Sequence, residues 1–177
     1  MEVVELHLKG LKLIKPKVFK DTRGFFLETY NQTTYHAAGI IEEFVQDNHS
    51  FSKKGTIRGM HFQSTPGQAK LIRVPIGTIF DVAVDIRPQS PTFKQWQGVI
   101  LNGEEHHQLF IPIGFAHGFC VLSDEAHVIY KVSSLYDPKT EVGFRWNDPS
   151  IGIEWPIDPP ITSERDQHSP TFGELFK

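Results

Sequence analysis

Nine histidines are spread along 177 residues, and two of them stand where an imidazole could move a proton. His61 lies in Arg58-Gly59-Met60-His61-Phe62-Gln63, a strand-like run. His117 lies in Gly114-Phe115-Ala116-His117-Gly118-Phe119, which opens another. A histidine near its ordinary pKa is a general base at neutral pH, and a tyrosine is a weak but sufficient acid. A lysine ammonium stabilises an enolate oxygen, and an aspartate on the far ring nitrogen fixes the histidine tautomer. His61, Tyr130, Lys70 and Asp166 supply these four groups. Spacing alone does not bring them together, and each has a plainer reading. A single histidine is more often a satisfied core or surface residue. Tyr130 reads as a core aromatic sharing a face with Val128 and Val132. Asp166 reads as a tail residue on a solvated turn. Lys70 shares a strand face with Ile72 and Val74, where pattern favours an end-of-strand ammonium reaching for water.

Metal chemistry is disfavoured by the same residues. A metal-binding barrel would present His-x-His with a nearby carboxylate. Here the run is His61-Phe62-Gln63, and an amide is a poor ligand for iron or zinc. His106 and His107 point to opposite faces if extended. No glycine-rich strand-to-helix turn marks a dinucleotide site. The expectation is a site with no metal and no cofactor.

The elements that must carry these groups are mostly strands. Strand-like segments run over 11–15, 25–27, 44–51, 56–62, 69–75, 78–87, 96–101, 108–111, 117–122 and 126–134, separated by turn signals such as Thr65-Pro66-Gly67 and Asn102-Gly103. Many short strands at regular spacing predict a sandwich or barrel. In 78–87, Phe80, Val82, Val84 and Ile86 face one way, as core. Asp81, Ala83, Asp85 and Arg87 face the other, as a polar surface or cavity lining. One helix is predicted from Asn31, a capping residue, to Ala38 before Gly39. The tail from Pro156 should wrap the barrel, with a short helix near Glu164 or Phe172.

Composition bounds the rest. The length suits one domain over residues 1–177. A net charge of -3 and a pI near 6.3 argue against a general nucleic-acid binder. The single cysteine, Cys120, excludes an internal disulfide and reads as a buried, inert thiol. No signal-peptide pattern or long apolar stretch is evident, so a cytoplasmic location is expected.

Taken in order, several motifs resemble the dTDP-4-dehydrorhamnose 3,5-epimerase family. They are Arg58 to Gln63, Pro66 to Lys70, Asp81 to Arg87, Ile111 to Phe119, Trp146 to Pro149 and Ile153 to Pro156. Each is weak alone; the ordered set is specific. The resemblance implies an all-β cupin-type jelly roll (a double-stranded β-helix) with one or two short helices. It further implies a homodimer exchanging N-terminal strands, and inversion of carbons 3 and 5 of dTDP-4-dehydro-6-deoxy-D-glucose. It assigns His61 as base, Tyr130 as acid, Asp166 as the carboxylate orienting the base and Lys70 to the ketone. It places Arg58 and His117 in the sugar and phosphate pocket. Arg23, Glu28, Gln46 and Asn48 match the nucleotide side, with Arg23 at the diphosphate. Tyr136 matches the aromatic that stacks on thymine, and Glu141 a further binding position. Arg165 stands where the family commonly has lysine, trading a point charge for a planar fork. The competing readings are an epimerase inverting one carbon only, a cupin 3,4-ketoisomerase, and a sugar-nucleotide-binding cupin without catalysis.

Overall fold

The computed structural model describes residues 1–176. Its strands are β1 (Glu2–Glu5), β2 (Lys12–Lys15), β3 (Val18–Asp21), β4 (Gly24–Leu27), β5 (Gln46–Lys53), β6 (Ile57–Gln63), β7 (Lys70–Ile76), β8 (Thr78–Asp85), β9 (Trp96–Asn102), β10 (Gln108–Ile111), β11 (Phe115–Val121), β12 (Glu125–Val132) and β13 (Glu141–Gly143). The helices are α1 (Gln32–Ala37), α2 (Glu164–Gln167) and α3 (Phe172–Leu175). A six-stranded sheet in the order β1-β2-β10-β7-β12-β5 faces a five-stranded sheet in the order β13-β6-β11-β8-β9. Pairing within both is antiparallel. This is the expected jelly roll, with the two sheets not joined edge to edge by a continuous ladder. The hairpin β3–β4 stands apart as a two-stranded sheet. The tail forms both α2 and α3, so with α1 there are three short helices among the described residues, one more than expected.

Alternation explains which faces meet. Ile72, Val74, Leu109, Ile111 and Val128 of the six-stranded sheet pack against Ile79, Ala83, Phe119 and Val121 of the other. Val82, Val84, Met60 and Ala116 point outward from the five-stranded sheet, yet they are buried beneath Phe144, Ile151 and Phe172. The tail therefore covers that sheet, as expected of a wrapping segment, and buries β8 on both faces. The polar face foreseen for β8 is an interior one: Asp81 and Asp85 have no solvent exposure.

Helix α1 begins as its sequence indicates. Asn31 Oδ1 accepts the Thr34 amide at 3.2 Å, and Gly39 turns the chain out at φ +76°. Its Tyr35 is buried and donates its hydroxyl to Gln108. Cys120 is fully buried, and burial pushes its thiol up to about 11, as an inert core cysteine requires. No helix is long and apolar enough to cross a membrane among the described residues.

Candidate active site

A cavity of about 690 Å³ opens between the sheets. Every catalytic or substrate-binding residue assigned from the sequence lines it except Arg23 and Glu28.

The strand β6 is shaped to serve it. Across β11, His117 pairs with His61 and Phe119 with Arg58, so two steps on one strand oppose three on the other. The extra residue is a β-bulge, which re-aims side chains. Plain alternation would send Arg58 and His61 to opposite faces; with the bulge both reach the cavity. Gly59 makes it possible. Its φ is +138°, and a Cβ there would lie 2.6 Å from Gly118 Cα.

His61 Nε2 meets Asp166 Oδ1 at 2.6 Å. Asp166 is buried in α2, not on a solvated turn. Residue 161 explains why. Ile161 makes a parallel bridge to Thr56, with its carbonyl accepting the Ile57 amide and its own amide donating to Gly55 O, each at 2.8 Å. The tail is thereby strapped beside β6 just before α2 begins. Burial works against ionisation of Asp166, but the hydrogen bond and charge of His61, with smaller help from the Gly59 and Ser163 contacts, hold its carboxyl below the ordinary range. With Nε2–H donated to Asp166, the lone pair of His61 sits on Nδ1.

Lys70 opens β7, between Ile111 of β10 and Val132 of β12. It does not reach for water. It is 7% exposed and its Nζ donates to His61 O at 3.4 Å. It shares the inner face of β7 with the core residues Ile72 and Val74, and at that end of the strand the inner face lines the cavity, so the ammonium stays inside. Desolvation lowers it to about 8, against the opposing pull of Asp81 and Glu141. Tyr130 shares the inner face of β12 with Val128 and Val132, as alternation indicated, and lies opposite Asn48 of β5. Burial and then Glu141 raise its phenol, which keeps it a proton donor at neutral pH.

His117 Nε2 sits 3.0 Å from both oxygens of Asp81, in a second buried His–Asp pair. Desolvation lowers His117 although Asp81 opposes it. Asp81 was not singled out, but its place on the non-core face of β8 was the available signal. Ser52, accepting Arg58 Nε at 2.9 Å, was also missed. It belongs to the polar inner face of β5, where Gln46, Asn48 and Ser50 also point at the cavity.

At the far end the groups form a chain. Gln46 Nε2 donates to Asn48 Oδ1 at 2.8 Å, and Gln46 Oε1 accepts the Tyr136 amide at 3.0 Å. Tyr136 donates its hydroxyl to Glu141 at 3.3 Å, and Arg165 donates to the same carboxylate oxygen. Arg23 and Glu28 lie elsewhere. Arg23 sits in the β3–β4 turn, 89% exposed and paired with Asp21, while Glu28 accepts from Asn31 at the start of α1. Among the described residues no three His, Cys, Asp or Glu side chains gather as a metal site would require.

A jelly roll whose inner cavity holds a carboxylate-backed imidazole, a buried amine and a phenol has the groups to take a proton and return one. The chain belongs to the dTDP-4-dehydrorhamnose 3,5-epimerase family, whose model matches residues 5–174. It is 51% identical over 174 residues to the dTDP-4-dehydrorhamnose 3,5-epimerase of Shigella flexneri, covering 97% of this chain and 96% of that one. A crystal structure of the Bacillus anthracis enzyme with TDP and PPi bound is 48% identical, with a TM-score of 0.94 over 96% of this chain and 98% of that one. The Legionella pneumophila dTDP-6-deoxy-D-glucose-3,5-epimerase, in complex with dTDP-4-keto-L-rhamnose, is 45% identical. Its TM-score is 0.93 over 96% of this chain and 92% of that one.

Proposed function

We propose that this chain inverts carbons 3 and 5 of dTDP-4-dehydro-6-deoxy-D-glucose, giving dTDP-4-dehydro-L-rhamnose for dTDP-L-rhamnose synthesis. The observation that carries the reading is the His61–Asp166 contact at 2.6 Å in a cavity that Lys70 and Tyr130 also line. The 4-keto group acidifies the hydrogens on both neighbouring carbons. His61 Nδ1 takes one, and Asp166 stabilises the imidazolium that forms. Negative charge moves to the ketone oxygen, where the Lys70 ammonium meets it in a water-poor site. Tyr130 returns a proton from the opposite face, and the centre inverts. Once His61 has released its proton to water and Tyr130 has regained one, the same cycle at the second carbon completes the reaction. No electrons are gained or lost, so the chemistry calls for no redox cofactor.

The diphosphate needs cations. Arg58 and Lys53 line the cavity mouth in this chain. Arg23 projects from a hairpin whose Phe19, Phe25 and Phe26 are 53%, 58% and 71% exposed. A homodimer accounts for both facts: each hairpin would cover those rings against a second copy and carry its arginine to that copy's diphosphate. The setting is the cytoplasm, where the sugar nucleotide would be met.

The test is incubation with dTDP-4-dehydro-6-deoxy-D-glucose in deuterated water, followed by NMR of the sugar. Expected are deuterium at carbons 3 and 5 and inverted configuration at both. Inversion at one carbon would narrow the activity to a single-site epimerase, and exchange at neither would overturn it.

A further inference from the structure

We propose that Ser163 is a positioning residue for the epimerisation, holding the Asp166 carboxylate behind His61 through its cap on α2. The inference rests on the acid–base reading of His61 given above. Ser163 has extended backbone, φ -70° and ψ 157°, and its Oγ accepts the Asp166 amide at 3.1 Å. The carboxylate of the same residue is held by His61 at 2.6 Å and only loosely by the Gly59 amide, at 3.5 Å. A four-residue helix has too few internal bonds to hold its own shape. Here they are Gln167 N to Ser163 O at 3.0 Å and His168 N to Glu164 O at 3.2 Å.

The turn is therefore held from outside. Upstream, the backbone of Ile161 is fixed to Gly55 and Ile57. Downstream, Arg165 is tied to Glu141, and Ser169 Oγ donates to Arg165 O at 3.1 Å. Ser163 is the side-chain link between the Ile161 anchor and Asp166. Removing its oxygen frees the Asp166 amide and widens the range of carboxylate positions. The imidazole then loses a fixed orienting partner, and small displacements of this kind act on the chemical step more than on binding.

The experiment compares S163A, S163T and S163G in the full chain. It measures kcat, KM, melting temperature and the downfield NMR signal of the imidazole N–H shared with Asp166. In S163A, kcat should fall about tenfold, the size a lost cap supplies, with KM within about twofold of wild type. The N–H signal should broaden, as is also expected of D166N. S163T, which keeps a capping oxygen, should restore rate and signal. Glycine is a tolerated cap residue without the oxygen. S163G should therefore repeat the kcat loss in folded protein even if S163A melts. Wild-type kcat in S163A or S163G, a raised KM at unchanged kcat, or no rescue by S163T would each overturn the inference. Full turnover by H61A would instead remove the acid–base reading on which it rests, so the two failures are distinct.

Discussion

Raising the pH should switch this enzyme off through Lys70. The amine has 7% exposure, and burial brings it from 10.5 to about 8. Only the ammonium can meet an enolate oxygen. The profile of kcat/KM reports groups of the free enzyme, so it should fall tenfold per pH unit above about 8. Tyr130 is raised above its ordinary value and stays protonated through that window. The magnitude of the charge effect follows from Coulomb's law. An ammonium about 3 Å from an enolate oxygen gains roughly 5 kcal/mol at an effective dielectric near 20. The ketone oxygen already draws part of this, so Lys70→Met should lower kcat by about 10²–10³-fold. The same substitution should stabilise the fold. A lysine whose folded pKa lies below its unfolded one destabilises the native state while both forms are charged. That penalty is complete below about pH 8 and gone above about 10.5. Its size is about 3 kcal/mol, so Lys70→Met should melt higher than wild type at pH 7, with the gap closing by pH 10.5. Stopped assays across pH 6–10 with parallel melting curves check both halves. A flat kcat/KM up to pH 10, with near-wild-type turnover by folded Lys70→Met, would refute the assignment.

Other substitutions probe the remaining groups. His61→Ala should lose turnover by roughly 10³–10⁴-fold while titration calorimetry still detects dTDP binding. Asp166→Asn should lose about as much if the amide turns the ring to the wrong tautomer; retained rates in either would remove the dyad from the mechanism. Tyr130→Phe keeps the ring and deletes the proton that inverts the centre. NMR in deuterated water should show substrate gaining deuterium at carbon 5 without inversion, and normal product at a normal rate would make Tyr130 packing only. Arg23→Ala should raise KM for the nucleotide sugar by about tenfold with the fold intact. Sedimentation should show a dimer that Phe25→Glu/Phe26→Glu weakens; a fully active monomer would refute hairpin exchange.

Much of the fold is legible because its rules are local. Thr78 to Asp85 shows its strand in the alternation of Phe80, Val82 and Val84 with Asp81, Ala83 and Asp85, and Asn31 followed by Gly39 frames α1 as capping chemistry requires. The missed elements are those with weak local signals. Strand β1 is four residues against the edge of β2, and β13 is three residues that pair with Gln63, Phe62 and His61. Such strands exist because a neighbour's edge offers hydrogen bonds, and their own residues carry little period to read. Lys70 was misread for a related reason. Its pattern shows an amine beside Ile72 and Val74, but not whether the strand end opens on solvent or on a cavity.

The site shows where local reading stops. His61 and Arg58 are three residues apart, a spacing that in a regular strand would separate them across the sheet. One inserted residue, tolerated because Gly59 and Gly118 can touch, turns both into the same cavity. Asp166 reaches His61 across 105 positions of sequence, and it does so because the backbone of Ile161 finds the turn before β6. Neither event has a residue pattern of its own; each is a tertiary choice among backbones that propensity alone leaves open. The resemblance to a family named these residues without explaining them, and the explanation lies in two glycines and one backbone bridge. The chemistry therefore depends on positions that do none of it. Placing a side chain at Gly118, where a Cβ would lie 2.7 Å from Met60 Sδ and 2.9 Å from Arg58 O, would displace the base and the mouth arginine together. An activity screen weighted toward His61 and Tyr130 alone would pass over the residue that aims the base.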